Sequence, residues 1–278
     1  MVSPDQRECD SCSNVRLLVR RRGDYAIAER CGCLPVGACC VDGYQVQTDD
    51  GGYSLAVPCR VCSEPEKRRK YFDAARLPGR FHDATLVGFE PLDTLRRVRQ
   101  RIYRFAHEFQ EGDRGLILYG EPGRGKTHLL VGILRYLLLH RRVRARYVEF
   151  MHLLTDLRAS FEKGSTAAVM APLIEIPLLA VDELGKGRSS RRAGNAGPAP
   201  EVSEWVGDVL DELISKRYNA GHTTLFATNF YPGDRVKPSI PTLGERVGPR
   251  IYSRLIEMCE QVHIGGDDYR LKLSKRPL

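Results

Sequence analysis

No stretch of this sequence stays apolar for the roughly 18 residues that a membrane-spanning helix needs. The longest candidate, Leu129 to Leu139, is short and carries Arg135. A membrane role is therefore not expected. A secretory leader is also missing from the opening MVSPDQRECD, which has no basic segment running into an apolar one, so a cytoplasmic location is expected. Cysteine is scarce over most of the length: of nine, eight lie before residue 63, and Cys259 sits alone in an apolar stretch as a small buried hydrophobe. No repeat of solenoid length is present. Acid is outnumbered, 35 Asp and Glu against 43 Lys and Arg, for a formal charge of +8. The surplus gathers at Arg20-Arg21-Arg22, Arg96 to Arg101, Arg141 to Arg146 and Lys186 to Arg192. Such clusters suit a polyanion, although solvated helix and loop faces give the same composition.

What is present divides near residue 63. Cysteines, glycines and short β-prone stretches such as YAIAER and YQVQT come before it, and SEPEKRRKYFDAARLPG, read as a short charged helix, comes after it. The 278 residues allow one full domain and a smaller module, here placed at 71–278 and 1–70. From Leu92 to Phe109 the apolar residues fall at helical spacing with arginines between them. GLILY, RARYVEF, IPLLAVDEL and TTLFATNF read as strands. They alternate with helices at His128 to His140, in MHLLTDLRASFEKG and in WVGDVLDELISKRYNAG. Strands alternating with helices imply an α/β fold, a parallel sheet wrapped by helices.

The chemistry concentrates after the first of these strands. Gly120-Glu121-Pro122-Gly123-Arg124-Gly125-Lys126-Thr127 fits GxxxxGK[ST] completely, with a strand before it and a helix, opening at His128, after it. Glycines let backbone N–H groups converge on phosphate oxygens, and the helix adds its positive end. Gly120 to Thr127 and His128 are expected to bind the nucleotide, with Lys126 reaching the β- and γ-phosphates and the Thr127 hydroxyl holding Mg2+. The second half is Leu178-Leu179-Ala180-Val181-Asp182-Glu183, an apolar strand ending in adjacent acids. Buried carboxylates are costly without partners. At a strand tip facing the phosphate loop, Asp182 would hold Mg2+ and Glu183 would polarise the attacking water. The strand ending at Thr228-Asn229 would bring a polar side chain beside the γ-phosphate, and turns favour the same pair for purely local reasons.

These residues resemble the AAA+ ATPases of the DnaC/DnaI helicase-loader and IstB transposition-helper group, within the initiator clade that includes DnaA. The resemblance rests on GEPGRGKTHL, LLAVDELGKGR, LDELISKRYNAG, LFATNF and RIYSRLIEMC, in that order over roughly residues 78 to 270. It implies a P-loop fold of the AAA+ type without a full C-terminal lid, ATP as ligand, Mg2+-dependent hydrolysis and assembly into an oligomer when ATP is bound. Asn229 looks like sensor 1. Arg254 looks like the arginine finger that enters a neighbour's site, with Arg250 one helical turn earlier as its rival. The helix at Met151 to Lys163 matches the position of the clade's extra helical insert, which in loaders contributes to single-stranded DNA binding. The 24 residues after Arg254 leave no clear sensor 2, and residues 185 to 204 form a Gly-, Pro-, Ser- and Arg-rich insertion.

The cysteines are spaced as metal ligands. Cys9 and Cys12 are followed, after eighteen intervening residues, by Cys31 and Cys33; Cys39 and Cys40 are followed, again after eighteen, by Cys59 and Cys62. Four thiolates at tetrahedral corners suit Zn2+, and two knuckles joined by a hairpin make a zinc ribbon. Two sites are expected, Cys9/Cys12/Cys31/Cys33 and Cys39/Cys40/Cys59/Cys62, with interleaved pairing, an iron–sulfur cluster or a redox centre as alternatives. The function expected for the whole is a DNA-replication helicase loader that grips single-stranded DNA and holds a replicative helicase through the cysteine module. An IstB-like helper working with a transposase, and a nucleotide-dependent DNA-binding adaptor with negligible turnover, are the other readings.

Overall fold

Charged and turn residues interrupt the first eighty positions so often that, among the described residues, short hairpins and one α-helix form there. β1 (Leu17–Arg22) and β2 (Tyr25–Arg30) pair antiparallel, with Leu17 opposite Arg30 and Arg22 opposite Tyr25, around the two-residue loop Gly23-Asp24. Leu17, Ala26 and Ala28 are buried on one face. β3 (Tyr44–Thr48) and β4 (Ser54–Pro58) form a second hairpin whose apolar side chains stay in solvent, Val46 at 73% and Leu55 at 59% exposure. α1 (Ser63–Ala75) buries Phe72 and Ala75, and Arg69 bonds both Glu66 and Asp73 along its flank. The Asp73 carboxylate accepts from the Ala28 amide at 2.9 Å, tying helix to hairpin, and Arg76 ends the helix in the left-handed region.

The structure is a computed structural model. It describes residues 9–33, 41, 43–59, 61–89, 95–161, 166–186, 204–235 and 240–270. The chain separates into two units, Met1–Asp83 with Leu137–Val143, and Ala84–Tyr136 with Arg144–Leu278.

The second unit is built around central strands that are mostly apolar, as burial on both faces demands. Its elements are α2 (Arg96–Glu108), β5 (Gly115–Tyr119), α3 (Lys126–Tyr136), β6 (Ala145–Glu149), α4 (Phe150–Phe161), α5 (Thr166–Glu175), β7 (Leu178–Asp182), α6 (Glu204–Asn219), β8 (Thr223–Thr228), α7 (Leu243–Val247), α8 (Pro249–Met258) and β9 (Cys259–His263). All five strands run parallel in the order β6-β7-β8-β5-β9, and every residue of β7 and β8 is buried. Ile117, Phe150, Leu179, Leu210, Phe226 and Leu255 lie in one core between sheet and helices.

Two elements depart from the sequence reading. A fifth strand was not foreseen: α8, which covers most of RIYSRLIEMC, stops at Met258, and Cys259 turns extended to open β9 beside β5. Cys259 is buried there, its thiol donating to Thr224 O at 3.3 Å. α5 was also not foreseen, and one buried arginine secures it. Arg217 is 1% exposed and donates to Leu173 O (2.7 Å) and Ile176 O (2.8 Å) at the end of α5, and to Thr223 O (2.7 Å) and Thr224 Oγ1 (2.9 Å) on β8. Burial pushes its pKa down to about 9, and these acceptors are what make the buried charge tolerable. Leu92, where the first helix was expected to open, and most of the 185–204 insertion lie outside the described residues.

Candidate nucleotide-binding site

β5 delivers the chain directly into the glycine-rich turn, and α3 begins at Lys126, so the turn lies between a buried strand tip and a helix N-terminus. Gly123 has φ +81, and a Cβ there would stand 2.1 Å from the Asp268 carboxylate. The left-handed conformation favours glycine there, whereas the Asp268 side chain could give way. Lys126 is only 8% exposed, and its ammonium donates to Gly120 O and Glu121 O, each at 2.8 Å. Burial brings its pKa down to about 8; nearby Asp182 opposes the shift, while Arg270 and Arg124 add to it. A buried ammonium inside a loop of convergent amides, with loop carbonyls as its hydrogen-bond acceptors, fits an anionic phosphate chain.

The acids stand beside this loop. Asp182 Oδ2 accepts from Thr127 Oγ1 at 2.8 Å and from the Tyr147 hydroxyl at 2.9 Å, and Asp182 Oδ1 accepts from the Glu183 amide at 2.9 Å. Burial raises the Asp182 pKa, against the pull of those three hydrogen bonds. Glu149, opposite Asp182 in the sheet register, is also raised by burial, with Glu183 and Asp182 adding to the shift. The Asp182 carboxylate and the Thr127 hydroxyl beside it are hard oxygen donors of the kind Mg2+ takes together with phosphates and water. Glu183 sits at φ +58, and its two carboxylate oxygens each receive Lys186 Nζ at 2.7 Å. Arg246, buried on α7, donates to Gly185 O at 2.8 Å and fixes the turn that carries this pair.

Asn229 follows β8 and lines a cavity of about 510 Å³ together with Glu121, Arg124, Tyr231, Arg235 and Asp268. Arg124 pairs with Glu121 at 2.6 Å. Pro122 borders the same cavity. His128 turns away from it: its Nε2 meets Thr85 O at 3.0 Å and its ring packs on Phe89. Arg254 and Arg250 are on α8, both directed at Asp211 of α6, at 2.9 and 3.6 Å, and neither bonds the loop or its acids among the described residues. Gly120 to Thr127, Asp182, Glu183 and Asn229 are thus gathered around the turn, while the two arginines are held elsewhere on the same unit.

Several neighbours had no sequence signature. After β9 the chain crosses back to the turn, with Ile264 N donating to Tyr119 O at 2.7 Å and Tyr269 N to Gly123 O at 2.9 Å. That path brings Asp268 and Arg270 to the site from more than 140 positions away, a distance over which no spacing pattern operates. Tyr147 carried no signal beyond its place in RARYVEF, and of the other β6 residues only Ala145 is buried.

In the other unit, the thiols of Cys9, Cys12, Cys31 and Cys33 all lie within 4.8 Å of one another. Cys9 and Cys31 Sγ are 3.7 Å apart and Cys12 and Cys33 Sγ 3.5 Å. A tetrahedral ion with Zn–S bonds of about 2.3 Å would set its sulfurs about 3.8 Å apart, so this set fits Zn2+. A hydrogen bond with the Cys12 thiol leads the effects that bring the Cys9 pKa down to about 7. Cys59 and Cys62 are buried close together, and Cys39 and Cys40, expected beside them, lie outside the described residues.

The profile of the family described as IstB-like ATP binding protein matches residues 66–277 of this chain. The chain belongs to that family. The IstB-like match starts beyond all eight clustered cysteines, which are an addition to it. Among curated relatives, the chain is 25% identical over 190 residues to the uncharacterized protein YqaM of Bacillus subtilis (strain 168), covering 66% of this chain and 54% of YqaM. It is 32% identical over 162 residues to the replicative helicase loader DnaC of Buchnera aphidicola subsp. Acyrthosiphon pisum (strain APS), covering 57% of this chain and 58% of that protein. The chain therefore spans just over half the length of the curated relatives it matches. Among solved structures, the DnaC helicase loader superposes with TM-score 0.56 at 26% identity over 67% of this chain and 99% of that one. DnaI gives 0.51 at 24% identity over 69% of this chain and 93% of that one, a likeness of fold. The IstB-like unit is a P-loop α/β domain of the AAA+ type related to DnaC. No helix among the described residues is long and apolar enough to cross a membrane.

Proposed function

We propose that this protein binds ATP with Mg2+ and hydrolyses it as a DNA-replication helicase loader, working in the cytoplasm. The observation that carries the reading is the Thr127–Asp182 hydrogen bond at 2.8 Å beside the buried Lys126, which joins two separate motifs into one anion-and-cation seat. The amides of Gly120 to Thr127 and the Lys126 ammonium would hold the phosphates, and Thr127 and Asp182 would hold Mg2+. Bound Mg2+ supplies charge neutralisation at the phosphates. Glu183 would take the proton of the attacking water, and Asn229 would orient that water. Arg254, or Arg250 in its place, would complete the charge stabilisation in a neighbouring subunit, which makes a homo-oligomer the active form. Residues 1–70 are the zinc-binding module and 71–278 the ATPase domain. The module would present a surface to the replicative helicase while the basic surface of the chain grips single-stranded DNA. The likeness to DnaC supports the helicase as partner; the family match supports a second reading, an IstB-like helper that serves a transposase.

Steady-state ATP hydrolysis by wild type, Lys126→Ala and Arg254→Ala tests the enzyme. Lys126→Ala is expected to lose about a hundredfold or more, in line with removal of a group that stabilises the transferring phosphoryl. Arg254→Ala is expected to keep ATP binding and lose assembly-dependent turnover. Equal, slow turnover by all three would leave only a DNA-binding adaptor. Co-purification with the replicative helicase or with a transposase separates the two tasks.

A further inference from the structure

The β1–β2 hairpin ends in three consecutive arginines, Arg20, Arg21 and Arg22, all exposed. A basic run on a free hairpin tip would be unremarkable, but this tip is pinned. Ala26 N donates to Leu77 O at 2.8 Å and Gly79 N to Asp24 O at 2.7 Å, forming a bridge between Tyr25 and Pro78. The approach is close enough that a Cβ on Gly79 would stand 2.9 Å from Gly23 O and 3.1 Å from Arg21 Cγ. The docked segment brings its own arginines. Arg76, locked in the left-handed conformation at the end of α1, places its guanidinium 5.8 Å from the centre of the Tyr25 ring, and Arg80 is exposed next to Gly79. Tyr25 itself is 46% exposed.

Little in this corner neutralises it. Glu29 pairs with Arg20 at 3.3 Å, and Arg21 donates to Gly23 O at 3.1 Å. Asp24 is the acid of the loop, and its backbone carbonyl receives Gly79. Among the described residues Arg22, Arg76 and Arg80 form no ion pair, and the whole arrangement belongs to one unit. Arginines facing solvent around a half-exposed tyrosine, on backbone fixed by hydrogen bonds, have the two elements of a single-strand binding surface: cations for phosphate and a ring for a base. Fixed backbone matters because side chains already presented lose less freedom on binding.

We propose that this pinned tip of the cysteine-rich unit is a single-stranded DNA contact in its own right, with Arg22, Arg76 and Arg80 on the phosphates and a base stacked on Tyr25. It deepens the reading of the protein as one that acts on DNA, but it needs no nucleotide. DNA binding through this tip therefore persists when ATP chemistry is removed.

The test uses the full chain without nucleotide and follows fluorescence anisotropy of a labelled oligothymidine across a salt series. Arg22→Ala/Arg80→Ala is expected to flatten the log–log salt slope by about 1.4, the loss of two phosphate contacts at about 0.7 each, and the matching lysine double variant to restore it. Tyr25→Ala is expected to weaken binding about fivefold or more with the slope unchanged. The same losses should appear in a Lys126→Ala background. Variants that keep wild-type affinity and slope overturn the assignment while leaving the ATPase and its DNA role standing. Wild type that binds no oligonucleotide without nucleotide overturns the assignment, and absence of binding with ATP and Mg2+ present as well overturns the DNA role too. Equal affinity for a duplex of the same length, indifferent to Tyr25, overturns the single-strand claim. Zinc content and unfolding temperature matching wild type show that a loss is one of contact and not of folding.

Discussion

Two hairpins and two strands of the sheet make the same backbone hydrogen bonds to opposite ends. In β7 and β8 every side chain is buried, whereas in β3 only Gln45 and in β4 only Val57 is even half-buried. The larger unit therefore draws its stability from apolar area, and that surplus lets it hold Lys126, Asp182 and Arg217 out of water. Among its described residues the cysteine-rich unit buries a smaller set of apolar side chains, Leu17, Ala28, Phe72 and Leu77 among them, and is expected to depend on ligation as well. One region is rigid because of what it excludes, the other because of what it would bind.

The widest way to break this contrast is to remove the metal. A strong chelator, or Cys12→Ala, is expected to unfold the cysteine-rich unit and leave the cooperative melting of the sheet in place, since structural zinc contributes on the order of 10 kcal/mol to such modules. Circular dichroism with calorimetry checks this, and a single transition unaffected by chelation would put the two units on the same footing. A smaller effect sharpens it from the other side. Phe226→Ala is expected to cost about 3–5 kcal/mol by chemical denaturation, while Val46→Ala on the exposed hairpin should stay within about 0.5 kcal/mol. Equal costs would mean that β3 is covered after all.

The smallest effect concerns the buried ammonium. Folding lowers the Lys126 pKa from 10.5 to about 8, so between those values the unfolded chain binds more protons than the folded one. Stability from this group accordingly rises with pH through that window, and the penalty of burying the charge is full below pH about 8. A bound triphosphate favours the charged form, so nucleotide binding at pH 8 should take up roughly half a proton. Calorimetric titration in buffers of different ionisation enthalpy measures it, and an uptake retained in Lys126→Met would assign the proton to another group.

Much of this was legible in the residues. The phosphate loop and the acids of β7 were readable because each depends on a short, contiguous pattern whose chemistry permits few substitutes. The three inner strands, β5, β7 and β8, were readable from their apolar residues, and the edge strand β6 from RARYVEF. β9 was not, because in Cys259-Glu260-Gln261-Val262-His263 the buried Cys259 and Val262 lie three apart, as on a helix, and follow α8 without a breaker. The company kept by Arg254 was equally hidden. Its partner Asp211 lies 43 positions earlier on another helix, and only packing of α6 on α8 joins them. Asp268 and Arg270 reach the loop by the same kind of distant return.

The hold that Lys186 keeps on Glu183 has one more implication for a protein that would split ATP. One ammonium meets both carboxylate oxygens at 2.7 Å and leaves lone pairs open on each, so the lysine steadies the acid without shutting out a water. On the hydrolysis reading, the base that receives the water's proton is therefore held in place before any fuel arrives.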